Sequence, residues 1–117
     1  MPNRSSGSVK VFYPPFSREE LLALLRRRMP ALQGVLPLKR VVLFGSYARG
    51  QQTIASDIDL LVIYAGEPRE EAYALVKRTL NIPGLEPHLY TEQEYEQVKM
   101  TVERMIRDGF PVPLGED

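Results

Sequence analysis

The sequence predicts an α/β domain of the α+β kind: a small three-stranded mixed sheet, order 1-2-3, backed by helices. Three observations predict it. Two runs rich in β-branched residues, "LKRVVLFG" at 38–45 and "DIDLLVIY" at 57–64, read as core strands. Apolar stripes at helical spacing precede the first run and follow the second. Gly45, Gly66 and "NIPG" at 81–84 punctuate the chain between these segments.

The elements follow in order. Residues 1–16 are rich in Pro, Ser and Gly and read as a flexible N-terminal tail. "SREE" at 17–20 is a capping box, with Ser17 as cap and Glu20 at the third helical position. Leu21, Leu22, Leu25 and Met29 continue the helix, and Pro30 is expected to end it. Arg26-Arg27-Arg28 reads as a solvated helix face. After the first strand, residues 46–56 hold a short turn or helix. On the second strand Asp57, Asp59, Leu61 and Ile63 share one face. Pro68 suits the first turn of a helix whose stripe is Ala72, Leu75, Val76 and Leu80. "LEPHLYT" is a third, shorter strand, and Pro87 makes it an edge because it has no N–H for a ladder. Thr91 and Glu94 form a second capping box, and Tyr95, Val98, Val102, Met105 and Ile106 line the last helix. The nucleotide-handling domain is thus expected over 17–110, with 111–117 a C-terminal tail.

Composition narrows the chemistry. The chain has 117 residues, enough for one domain, and 44% of them are apolar, enough for a modest core. Lys plus Arg and Asp plus Glu number 15 each, so no broad basic field for duplex nucleic acid is expected. With no Cys and one His, thiolate and multi-histidine metal sites are excluded. Any metal must rest mainly on carboxylates, which favours a hard ion such as Mg²⁺. No apolar stretch approaches a membrane span of ~20 residues, and the N-terminus lacks a signal peptide's apolar segment. A soluble, cytoplasmic protein is expected.

The functional signal lies where the first strand ends and the second begins. Two aspartates two apart on a strand point the same way, about 6.6 to 7 Å apart along the chain. Both can reach one divalent ion, or clamp a pair about 3.5 to 4 Å apart. Without a cation they repel at the edge of a core. Alone, Asp-x-Asp equally suits a turn residue followed by a solvated carboxylate. Gly45-Ser46 adds a second part. Glycine allows close backbone approach at a strand end. Ser46 can open a helical turn whose free N–H groups meet phosphate oxygens, and Arg49 lies on the same side of that turn. A phosphate cradle beside a metal-binding pair is the makings of a nucleotide site. The two parts meet only if the first two strands are antiparallel, because a parallel crossover would carry Asp57 to the far end of the sheet. The helix after the second strand then suits a parallel crossover, which brings Glu86 and His88 next to the aspartates.

The stretch "GSYARGQQTIASDIDLLV" resembles the DNA polymerase beta-like nucleotidyltransferase superfamily: Gly-Ser, ten residues, then Asp-x-Asp with apolar flanks. The small α/β core is similar to its minimal nucleotidyltransferase (MNT) branch. The resemblance spans about residues 17–108 and implies the nucleotidyltransferase fold. It implies transfer of a nucleoside monophosphate from a nucleoside triphosphate, ATP in the first instance, to an acceptor hydroxyl with Mg²⁺. By it, Gly45 and Ser46 would hold the triphosphate, beside the Arg49 that the turn itself offers as nucleotide-binding, and Asp57 and Asp59 would be catalytic metal ligands. Many MNT proteins pair with a HEPN-domain toxin, and some act as antitoxins by adenylylating it, so a HEPN partner is implied too. The family's third carboxylate slot falls on His88, and Glu86 shares its face. Glu86 can serve as third metal ligand or base, or His88 can take the acceptor's proton, or His88 is only a strand residue. The competing expectation is a nucleotide-binding module that masks a toxin by direct binding. The sequence leaves the base, the acceptor and a homo-oligomer open.

Overall fold

The computed structural model describes residues 16–53 and 55–114. Of the tail expected at 1–16, residues 1–15 lie outside the described residues, and Phe16 packs against the core. The elements run α1 (Arg18–Gln33), β1 (Leu38–Phe44), α2 (Ser46–Arg49), β2 (Ile58–Tyr64), α3 (Ala72–Leu80), β3 (Leu85–Thr91), α4 (Glu92–Gln97), α5 (Lys99–Met105) and β4 (Phe110–Pro111).

The sheet order is β3-β2-β1-β4. β1 and β2 are antiparallel, with Phe44 opposite Asp59, and β2 and β3 are parallel, with Asp59 opposite Glu86. The expected mixed order is therefore present, with β3 at an edge. A fourth strand is added that the sequence did not announce: Phe110 and Pro111 pair with Leu43 and Val42. Val112, read from sequence as tail, is buried, and its N–H donates to Val41 O at 2.8 Å. Proline confines this strand to an edge and keeps it short.

β2 is buried on both faces, which explains its unbroken apolar run. One face carries Val41, Leu43, Leu60 and Val62 against Leu21, Leu25 and Met29 of α1 and Val76 and Leu80 of α3. The opposite face carries Val42, Phe44, Leu61 and Ile63 beneath Val102 and Ile106. Asp59 belongs to this second face, at the strand's entrance.

Both capping boxes form, at Ser17–Glu20 and Thr91–Glu94. Three boundaries differ from expectation. α1 runs through Pro30 to Gln33. Proline's missing hydrogen bond costs on the order of 3 kcal/mol inside a helix, but the last turn buries Leu32, and Leu36 N–H closes onto Leu32 O at 2.9 Å. α3 begins at Ala72, one turn after Pro68. The last helix is broken at Val98, where φ −123° and ψ 23° leave helical space, so α4 and α5 bend separately over the sheet. Of the arginine run, Arg26 and Arg27 are exposed as expected. Arg28 is not merely solvated: its Nη1 donates to Leu80 O at 2.6 Å and Asn81 O at 3.1 Å, satisfying carbonyls at the C-terminus of α3.

Candidate functional site

The antiparallel register delivers Gly45, at the end of β1, to the entrance of β2. Gly45 has φ +81° and ψ −155°, a region essentially restricted to glycine. It is also fitted to a neighbour. A Cβ here would overlap Asp59 Oδ2 and lie 3.2 Å from Asp59 Cγ. The carboxylate thus occupies space that only a glycine leaves open.

Ser46–Arg49 forms a single helical turn, closed by Gly50 at φ 71°. Tyr47 and Ala48 are buried and pin it to the core. Burial pushes the Tyr47 hydroxyl pKa up. Arg18 Nη1 donates to Ala48 O at 2.8 Å and satisfies the end of the turn. Arg49 is exposed, and its Nε donates to Gln51 Oε1 at 3.4 Å.

Asp57 is exposed and precedes β2 by one residue; Asp59 sits inside the strand, its side chain 28% exposed. Parallel pairing with β3 brings His88 beside it: His88 Nε2 and Asp59 Oδ1 are 3.0 Å apart. A carboxylate oxygen accepts, so Nε2 carries the hydrogen in this contact. The imidazole also stands edge-on to Phe44, with ring centroids 5.0 Å apart. Asp59 therefore has one oxygen on His88 and the other against Gly45.

Glu86, on the same face of β3, turns to the sheet edge. Tyr73 Oη donates to its two oxygens at 3.3 and 3.2 Å. Lost hydration, then the charge and hydrogen bond of Glu86, and finally the charge of Asp57 push the Tyr73 hydroxyl pKa up. The structure thus brings together Gly45, Asp59 and His88, with Asp57 at the strand mouth and Arg49 across Gly45, while Glu86 is engaged by Tyr73. Among the described residues, no group of three or more His, Asp or Glu is assembled to hold a metal ion. The aspartate pair alone still suits a hard divalent cation, since its donors are all carboxylate oxygens and the Gly45 cradle holds Asp59 Oδ2 clear of any side chain at that position. Tyr73 escaped the sequence reading. It precedes no motif, and only the fold sets it beside Glu86.

No helix among the described residues is long and apolar enough to cross a membrane. The family model described as nucleotidyltransferase domain matches residues 22–108. A relative from Methanocaldococcus jannaschii, described as a protein adenylyltransferase, is 35% identical over 89 residues, covering 72% of this chain and 89% of its own. A solved nucleotidyltransferase structure from Sulfolobus solfataricus superposes with a TM-score of 0.57 at 25% identity, covering 81% of each chain. A toxin-antitoxin structure holding AMP-PNP superposes with a TM-score of 0.54 at 20% identity, over 86% of this chain and 76% of the other, and so shares the fold. With this sheet, the Gly-Ser turn against Asp-x-Asp and these relatives, the chain belongs to the nucleotidyltransferase domain family.

Proposed function

We propose that this chain moves AMP from ATP to an acceptor hydroxyl with Mg²⁺, as the antitoxin side of a HEPN/MNT pair in the cytoplasm. The observation that carries the chemistry is the fit of the Asp59 carboxylate into the space left by Gly45. The adenylyltransferase description of the archaeal relative supports the nucleotide, and the toxin-antitoxin structure with AMP-PNP supports the partner.

Asp57 and Asp59 would hold the divalent ion, which when bound neutralises phosphate charge. The chain's own residues supply the rest. Ser46 and Arg49 bind the phosphates on the far side of Gly45. Asp59 orients His88 through the Nε2 contact, leaving Nδ1 to take the acceptor's proton. The acceptor oxygen then bonds to the α-phosphorus, the bond from that phosphorus to the bridging oxygen breaks, and pyrophosphate leaves with the electron pair. Glu86, held by Tyr73, is the alternative base or ligand if that hydrogen bond opens.

The test incubates the full chain with ATP, Mg²⁺ and the HEPN-type protein encoded beside it, and reads intact mass. One added adenylyl group on the partner, lost with Asp59→Asn, is the expected result. Stoichiometric inhibition of the partner without a mass shift overturns the transfer reading. It would favour a second reading, a nucleotide-binding module that masks the toxin directly. That reading draws on His88 occupying the third carboxylate slot and engaging Asp59.

A further inference from the structure

A cleft of about 140 Å³ opens between the end of β1 and the turn that follows α5. Three arginines line it, Arg49, Arg104 and Arg107, against one acidic residue, Asp108. Phe44 and Met105 form its apolar wall, and Gly45 contributes backbone. Two arginines elsewhere have close carboxylate partners, Arg40 with Glu103 at 2.6 Å and Arg69 with Glu71 at 3.0 Å, whereas the exposed Arg26 and Arg27 of α1 have none among the described residues. Among the described residues no carboxylate, Asp108 included, comes within 4.0 Å of a guanidinium nitrogen of Arg49, Arg104 or Arg107. Like charges gathered around one cavity repel unless an anion joins them.

The cleft is firmly mounted. A Cβ at Gly109 would lie 2.6 Å from Val42 Cγ1 and 2.9 Å from Leu43 O, so the turn carrying Arg107 is pressed directly onto β1. Val102 and Ile106 bury the flanking helix in the second core. Arg104 and Arg107 are therefore held beside Phe44, while Gly45 both lines the cleft and touches Asp59. One glycine separates the aspartate from the arginines. A linear polyanion that starts at Asp59 and crosses Gly45 can extend into the cleft.

We infer that Arg104 and Arg107, with Arg49, bind the β- and γ-phosphates of the nucleoside triphosphate and hold the pyrophosphate as it leaves. The inference rests on the transfer reading above, and it adds two residues from the far end of the chain. Guanidiniums suit this role because their donors match phosphate oxygens in pairs. They gain most where charge develops, on the departing pyrophosphate. Asp108 tempers the cleft's charge and opposes retention of the product.

The probe is inorganic tripolyphosphate, titrated into the full chain by calorimetry, with AMP as the nucleotide control. Arg104→Ala and Arg107→Ala should each weaken tripolyphosphate roughly tenfold or more and leave AMP unchanged. Asp108→Asn should tighten it. Arg26→Ala with Arg27→Ala, on the exposed face of α1, should have no effect. Unchanged tripolyphosphate affinity in the Arg104→Ala/Arg107→Ala double variant, or an equal loss from the Arg26→Ala/Arg27→Ala control, overturns the inference. The two failures are separable. Tripolyphosphate binding that needs these arginines, in a chain that transfers no AMP, preserves the cleft and removes the transfer reading. Transfer with arginine-independent tripolyphosphate binding does the reverse.

Discussion

Replacing Gly45 with alanine tests the construction of the site without requiring that its substrate be known. Two costs can be read from the structure. The backbone at φ +81°, ψ −155° costs a non-glycine residue about 1–3 kcal/mol. The new Cβ also overlaps Asp59 Oδ2, so the carboxylate must turn and give up its 3.0 Å contact with His88. Both side chains of that contact are about one-third exposed, so its loss is worth only about 1 kcal/mol. Together the substitution should cost about 2–4 kcal/mol, which in a domain of this size lowers Tm by roughly 8–16 °C. Chemical denaturation of Gly45→Ala measures the total. A double-mutant cycle with Asp59→Ala isolates the second part, because the overlapping oxygen is then gone and only the backbone cost remains. A coupling of about 1 kcal/mol is expected. If Gly45→Ala keeps wild-type stability, the strained-glycine argument is wrong. If its penalty is the same in both backgrounds, the carboxylate does not occupy the space described.

Arg28→Ala should cost about 1–2 kcal/mol, because it strips two carbonyls at the end of α3 of their donor; unchanged urea denaturation would place that arginine in solvent. Glu103 is bonded by Arg40 and then by Tyr95, and these bonds hold its carboxyl below the ordinary 4.5. Its stabilisation is therefore complete above pH about 4.5 and lost as pH falls through the lowered value. At 42% exposure this is worth about 0.5–1 kcal/mol, and Glu103→Gln should flatten the acid limb of stability by that amount in pH-dependent melts. His88→Asp should lower Tm in EDTA, since it sets a second carboxylate beside Asp59, and should enlarge the stabilisation by Mg²⁺; equal melting of both proteins with and without the ion would argue against a metal at this position.

The local part of this molecule was legible in its sequence. Strand runs, both capping boxes and the Gly45-Ser46 to Asp57-x-Asp59 spacing are short-range signals, and the antiparallel register follows from needing those two ends to meet. The contacts that complete the site are not short-range. Tyr73 and Glu86 meet because a helix crosses over to the edge strand. Arg104 and Arg107 reach Gly45 only because Gly109 lets its turn press on β1. The Pro30 expectation failed for the same reason. A local rule against proline in helices was outweighed by the burial of Leu32, which depends on a sheet tens of residues away. β4 is hidden by its own chemistry, two residues at a proline-bound edge with no alternation to read.

The carboxylates at the mouth of a buried strand raise a charge problem, and the structure answers it from two sides. Asp59 Oδ1 faces the imidazole of His88, and Oδ2 faces the bare backbone of Gly45. Beyond that backbone stand three guanidiniums with no carboxylate within salt-bridge distance among the described residues. The negative and positive groups are thus kept apart by one glycine and do not neutralise each other directly. An internal salt bridge between Asp59 and these arginines would stabilise the empty protein and close the gap. Leaving them apart keeps Oδ2 open to a cation and the guanidiniums open to an anion, the arrangement that the proposed transfer from a metal-bound nucleoside triphosphate calls for.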